Sequence, residues 1–391
     1  AGYEMPVQYS SVMEEHLAVR RNAGLFDVSH MGLFEFSGEN VHLFLHTIAT
    51  NDITLLGIGD SQYSYLLAPD GSVIDDIWVY KLEQERYWVV VNASNNDKDW
   101  AWIHAVCENS VRIDEDRPWV RALGTEKVEM CDLRDPARGD EQRVQIALQG
   151  PRSRDILLST LGPDDAFRAT LLDMKRNQIA HGVWMGYDLW LSRTGYTGEP
   201  MAFEIFAHPA DLPGLWLALL EAGKSFGIKP CGLAARDSLR IEAGLPLYGH
   251  ELSGPLNLNP GAAGFAPYVK VYKPYFIGKD AYVAAEAKRQ ARLVRFQLEE
   301  ERAPLLAQGD VIVSRKGRVI GWVTSCSINT EGRLVGLAYV QEPHHERGTR
   351  LGVYRAGKDS WETEPLEGLS FGDRVMLPED ITVVPRFLNK Q

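Results

Sequence analysis

The chain has 391 residues and a formal net charge of −12, with 45% hydrophobic and 24% charged residues. This is room for two or three domains of ordinary soluble composition. The negative balance argues against nucleic-acid partners, which need a basic footprint, and no apolar run approaches the roughly 20 residues of a membrane-spanning helix. No basic region followed by an apolar core opens the chain, so no secretory signal is expected. Cys107, Cys131, Cys231 and Cys326 are scattered without a Cys-x-x-Cys pair, as in reduced thiols of a cytoplasmic protein.

In chain order, Ser11-Val-Met-Glu14 is a capping-box pattern that opens an amphipathic helix ending near Gly24. Leu33-Phe-Glu-Phe-Ser37 alternates like a half-buried strand. Residues 39–48 predict a short helix. Gln62–Leu67, the turn Pro69-Asp-Gly71 and Val73–Tyr80 predict a hairpin, with Trp88–Asn92 as a third strand and a helix from about Asn96. The charged segment 108–142 reads as irregular surface around one or two strands. Val144–Leu148 reads as a strand, and Gly150-Pro151 as the start of a helix with Pro at its first position. Phe203–Phe206 continues the strands, and helices are expected over 210–226, 231–244 and from Phe276 to about Arg292. From Leu293 the texture changes to short strands at 293–298, 311–314, 318–326, 334–340 and 350–354, a separate all-β domain of barrel or jelly-roll type.

Gly71-Ser-Val-Ile-Asp-Asp-Ile-Trp-Val-Tyr80 stands out, because two adjacent carboxylates interrupt an apolar strand. Neighbouring strand residues face opposite sides, so one of Asp75 and Asp76 is expected to point inward and one outward. A carboxylate in an apolar interior must be paired, hydrogen-bonded or protonated. A strand-end Asp capping backbone groups is the plainer reading. Gly195 and Gly198 bracket Tyr196 in a flexible loop, with Glu204 in the strand beyond. Arg236 and Arg240, four apart, share one helix face and call for a carboxylate or ring partner. Asp76, Glu204, Arg236, Tyr63, Tyr80 and Tyr196 together suit a flat, polar heteroaromatic ligand with an acidic tail. On residues alone, a glycosidase carboxylate pair is the alternative. No Gly-x-Gly-x-x-Gly flavin loop and no spaced metal-ligand set is present.

Seven stretches, in order over nearly the whole chain, resemble the folate-dependent T-protein of the glycine cleavage system. They are Gly24-Leu-Phe-Asp-Val-Ser-His-Met31, Asp75-Asp76, Val91-Asn-Ala93, Leu148-Gln-Gly-Pro151, Arg193-Thr-Gly-Tyr-Thr-Gly-Glu199, Ala235-Arg-Asp-Ser-Leu-Arg-Ile-Glu-Ala-Gly-Leu-Pro-Leu-Tyr-Gly249 and Phe276-Ile-Gly-Lys279. The resemblance implies an α+β, three-domain cloverleaf. Two intertwined folate-binding domains would span residues 1–285, and a C-terminal β-barrel 290–391. It implies tetrahydrofolate as cofactor and a lipoylated H-protein as donor of an aminomethyl group, with 5,10-methylenetetrahydrofolate and ammonia as products. By position, Asp76 matches the essential carboxylate, and Tyr63, Tyr80 and Tyr196 match pocket aromatics. Glu204 matches the carboxylate that grips the pterin, Arg236 a nearby arginine, and Asn92 a further cofactor-binding residue. Arg386 is the candidate for the basic residue that reaches the folate glutamate tail.

Departures from that pattern are visible. Gly198-Glu-Pro-Met-Ala-Phe-Glu204 carries an extra residue and a Pro, Asn259-Pro-Gly-Ala-Ala-Gly264 lacks a Glu, and the tail from Phe371 to Phe387 differs from a typical T-protein end. The rival within the fold is a demethylase that moves a methyl group from a small S-, N- or O-methylated substrate to give 5-methyltetrahydrofolate. The non-catalytic iron–sulfur assembly members carry a Cys that Ala243–Glu251 lacks.

Overall fold

The computed structural model describes residues 2–300, 303–355, 369–374 and 379–388, so that 375–378 of the divergent tail lie outside the described residues. In chain order the elements are α1 (Val12–Arg21), β1 (Ala23–Asp27), β2 (Gly32–Ser37), α2 (Val41–Ile48), β3 (Ser61–Leu67), β4 (Val73–Glu83), β5 (Arg86–Val91), α3 (Asn96–Cys107), β6 (Glu129–Asp132) and β7 (Val144–Gln149). There follow α4 (Ser153–Ser159), α5 (Ala166–Asp173), β8 (Ile179–Trp184), β9 (Tyr187–Ser192), β10 (Ala202–Ala207), α6 (Leu212–Gly223), β11 (Ile228–Cys231), α7 (Leu233–Ala243) and α8 (Lys279–Ala287). The last strands are β12 (Ala291–Leu298), β13 (Val311–Val313), β14 (Val319–Ile328), β15 (Leu334–Gln341), β16 (Arg350–Tyr354) and β17 (Glu379–Val384). The chain divides into two compact units. The first comprises Ala1–Gly195, Glu199–Leu233 and Pro267–Val283, the second Tyr196–Gly198, Ala234–Ala266 and Ala284–Gln391.

The first unit holds two sheets. One has the order β11-β1-β7-β10-β9-β8, the other β3-β4-β5-β2-β6. The five-stranded sheet is antiparallel throughout. One of its faces, with Phe34, Phe36, Ile77, Val79 and Val91, packs on α2 and α3 through Phe44, Leu45, Ile103 and Val106. Its other face, with Leu33, Tyr80, Trp88 and Val90, meets Ile179 and Phe206 of the six-stranded sheet. Tyr80 and Trp88 both place their rings edge-on to Phe206, 5.6 and 5.5 Å away. The outer face of the six-stranded sheet is covered by Leu157, Leu171, Leu215 and Leu219 of α4, α5 and α6.

In the second unit, β12-β15-β14-β13-β16-β17 close into a six-stranded barrel around Phe296, Ile312, Val323, Leu351 and Val383. The α+β class with a C-terminal barrel is therefore as expected, with β17 completing a barrel for which the sequence reading supplied five strands. Two local expectations are corrected. The helix after Gly150 begins at Ser153, because Gly150 at φ +128° and the turn through Arg152 precede it. The first helix ends at Arg21 rather than near Gly24, because Ala23–Asp27 is a strand, paired parallel to β11 and antiparallel to β7.

Candidate active site

The hairpin of β3 and β4 builds the site. Its turn is set by Asp70, whose Oδ1 accepts from Ser72 N and Oγ at 2.9 and 2.6 Å, and by Gly71 at φ +83°. Tyr65 pairs with Asp76 and Leu66 with Asp75, but Leu67 pairs with Val73, so a bulge sits beside the two carboxylates. Bulges re-aim side chains at such places. Alternation then puts Asp75 on the face of Ile77 and Val79, and Asp76 on the face of Trp78 and Tyr80. The expectation that one carboxylate faces outward is corrected: Asp75 is fully buried and Asp76 partly so.

Both carboxylates are held by Asn92, at the end of β5. Its Nδ2 donates to Asp75 Oδ1 at 2.8 Å and to Asp76 Oδ1 at 2.9 Å, and its backbone N–H donates to Asp75 Oδ2 at 2.8 Å. Asn95 Nδ2 adds a 2.6 Å bond to Asp75. The Tyr63 hydroxyl donates to Asp76 Oδ2 at 2.8 Å. Burial, reinforced by the charge of Asp75, pushes the Asp76 carboxyl up to about 7, against the Tyr63 and Asn92 bonds, which favour its ionised form. A carboxyl poised near neutrality, with two oriented donors, can hold or release a proton under working conditions. Around it, the Tyr63 ring lies 5.0 Å from Tyr268, 5.2 Å from Tyr65 and 5.8 Å from Trp78.

Further along β4, Tyr80 links the two sheets. Its hydroxyl donates to Glu204 Oε2 of β10 at 3.1 Å and lies 3.3 Å from Thr194 Oγ1. Thr194 Oγ1 also meets Glu204 Oε2, with Ser192 Oγ 2.9 Å away. Burial, then the Glu204 charge, raises the Tyr80 phenol well above its ordinary value, so it stays a donor. Both described bonds to Glu204 fall on Oε2. Asp76 and Tyr80 are four residues apart on one strand, about 13 Å at the usual rise. Glu204 is thus committed at the Tyr80 end of the strand, in a hydrogen-bonded group separate from that of Asp76.

The second unit holds the remaining candidates. Tyr196 donates to the Pro246 carbonyl. Arg236 is half-buried on α7. Its neighbour Arg240 is a structural cation: fully buried, it donates to Glu251 and Asp237 at 2.8 Å each and to Ser325 Oγ at 3.0 Å. Burial alone would raise the Glu251 carboxyl. The Arg240 charge and the Ser325, Thr324 and Leu247 donors hold it below the ordinary range instead. Arg386 donates Nη2 to the Ala263 carbonyl at 3.0 Å, while its buried Nε and Nη1 have no acceptor among the described residues. Burial lowers its guanidinium to about 10. Its backbone passes so close to Gly244, itself at φ +79°, that a Cβ there would sit 1.8 Å from the Arg386 carbonyl oxygen.

The arrangement has relatives. A family model described as the GCVT N-terminal domain matches residues 1–273, and one described as the glycine cleavage T-protein C-terminal barrel domain matches 292–362. The chain belongs to the glycine cleavage T-protein family. A protein named aminomethyltransferase from Symbiobacterium thermophilum is 42% identical over 368 residues, covering 91% of this chain and 88% of the relative. Another of that name from Desulfitobacterium hafniense is 39% identical over 359 residues, covering 91% and 89%. The crystal structure of glycine cleavage system aminomethyltransferase T from Bartonella henselae superposes with a TM-score of 0.76 at 28% identity, covering 98% of this chain and 91% of that one.

Within this T-protein frame, Tyr63, Asp76 and Asn92 come together in one hydrogen-bonded group, and Tyr80 and Glu204 in a second. Tyr196, Arg236 and Arg386 belong to the other unit. Sequence reasoning missed Thr194, Ser192, Glu251 and Asp99. Thr194 and Glu251 lie inside or beside quoted motifs, but their roles depend on long-range contacts to Glu204 and Arg240. At the end of the glycine loop, Glu199 pairs with Arg20 at 2.7 Å, both nearly buried. Among the described residues, no cluster suits a metal ion and no helix is long and apolar enough to cross a membrane.

Proposed function

We propose that this chain is the aminomethyltransferase of a glycine cleavage system, passing the aminomethyl group of a lipoylated H-protein to tetrahydrofolate with release of ammonia. The observation that carries the reading is Asp76: a carboxyl raised to about 7, gripped by Tyr63 and Asn92, in a chain of the T-protein family. The residues fit a reduced folate. The aromatic group of Tyr63, Trp78 and Tyr268, backed by the buried Tyr65, offers ring surface. Glu204 offers a carboxylate held from one side, suited to a donor edge, and Arg386 has two unspent donors suited to a carboxylate tail.

When bound, the folate would supply the nucleophilic nitrogen that takes up the one-carbon unit. The chain's own residues do the rest. Asp76 takes and holds the proton that the nucleophile loses, Tyr63 and Asn92 fix the orientation of its two oxygens, and the aromatic rings limit water around it. Tyr196 and Arg236 are proposed as further cofactor contacts, each tested by its own substitution. The proposal includes a folate-binding region over 1–285, a barrel domain over 290–391, and a cytoplasmic location.

The test is ammonia release from aminomethylated H-protein. Release that requires both this chain and tetrahydrofolate supports the reading. Saturable folate binding without ammonia release would replace it with demethylation of a small methylated substrate. Absence of folate binding would sink both.

A further inference from the structure

Asp99 lies in the first turn of α3, where carboxylates ordinarily face solvent near the helix N-terminus. Here its side chain is fully buried, and neither carboxyl oxygen receives a hydrogen bond from any described donor. Asn95, one helical turn before Asp99 and on the same face, donates to Asp75 at 2.6 Å, which brings Asp99 up beside Asp75; Asp75, Lys98 and Asp76 are the charged groups that act on it. The Lys98 ammonium donates to the Ile74 carbonyl at 2.6 Å. Asp75, equally buried, already receives three bonds, two from Asn92 and one from Asn95.

Two ionised carboxylates are acceptors only and repel each other in a dry interior, so contact between them requires a shared proton. Asp75 has three donors aimed at it. Asp99, with none, is the natural acid. We propose that Asp99 is a protonated carboxylic acid at neutral pH, donating its O–H to Asp75 and so positioning the Asp75–Asn92–Asp76 array. Burial, then the charge of Asp75, raises the Asp99 carboxyl far above the ordinary range, in the same direction. Asp99 is a positioning residue, acting on Asp76 through Asp75 and Asn92. It also keeps one negative charge away from the Asp76 carboxyl. Its effect on turnover rests on the role of Asp76 proposed above, whereas its protonation does not.

The test is infrared difference spectroscopy of the full chain against Asp99→Asn at about pH 9, where Asp76, at about 7, is ionised. The wild type is expected to show a protonated-carboxyl carbonyl band that the variant lacks. Absence of that difference overturns the proposal whether or not the chain is active. The pH profile of kcat/KM gives the second arm. Asp99→Asn keeps a neutral donor and should leave the acid limb in place, while Asp99→Leu should cut turnover ~10-fold. An acid limb moved downward in Asp99→Asn would mean that an anion had been removed, and would overturn the proposal. Failure to transfer an aminomethyl group would remove the functional reading and leave the infrared result to judge the proton.

Discussion

Replacing Asp76 by Asn separates what the carboxyl does for the reaction from what it costs the fold. The substitution keeps shape and hydrogen-bonding capacity. The Tyr63 hydroxyl can rotate to accept from the new amide, and Asn92 can still donate to its carbonyl. The carboxyl rises from 3.8 to about 7 in the folded state. The native state therefore binds more protons than the unfolded chain between those values, and stability falls as pH rises through that window. At 1.36 kcal/mol per pH unit, the ceiling on the cost of ionising Asp76 is about 4 kcal/mol, reduced by the partial access of water. Asp76→Asn should thus be more stable than the wild type by about 1–4 kcal/mol at pH 8 and much closer to it at pH 4, while turnover drops ~10²–10⁴-fold. Urea unfolding of both proteins at the two pH values reads the first effect, and the ammonia assay the second. Equal stability differences at pH 4 and pH 8 would refute the reasoning about the buried charge, and near-native turnover would refute the catalytic role.

Other substitutions probe separate contacts. Tyr63→Phe removes a bond that favours the ionised form of Asp76, so the acid limb of the kcat/KM profile should move upward and turnover at pH 7 fall ~10-fold; an unmoved limb contradicts it. Arg386→Ala should weaken tetrahydrofolate binding ~10–100-fold while changing kcat little, and fluorescence titration of the binding equilibrium checks this. Glu251→Ala leaves buried Arg240 without its main partner and should cost about 3–5 kcal/mol, seen as a lowered denaturant midpoint. An unchanged midpoint would remove Glu251 from the list of structural residues.

Much of the hairpin and the barrel was legible because β-branched alternation and Gly-containing turns mark them clearly. β1 was not. Its residues are almost all buried, so it shows no period-two pattern and resembles any short apolar link. β11 carries Pro230, which argues against a strand until its edge position is known; it is the end strand of its sheet. At the site, Asp76 stood out because a carboxylate in an apolar run needs an explanation. Asn92 entered through a motif, and only the fold shows that it bridges both carboxylates. Asp99 could not be singled out, since an acidic residue in a helix's first turn is expected on helical grounds alone. What distinguishes it is its neighbour Asp75, 24 positions earlier in the chain. Arg236 and Arg240 looked equivalent on one helix face, yet Glu251 and Ser325 claim Arg240 for the structure.

The most direct test of the central claim is a single-turnover reaction of the full chain with tetrahydrofolate and H-protein bearing a carbon-13-labelled aminomethyl group. The account predicts label in 5,10-methylenetetrahydrofolate with one ammonia per labelled carbon, and loss of that product in Asp76→Asn despite retained folate binding. Label remaining on the H-protein while the wild type binds folate would contradict it.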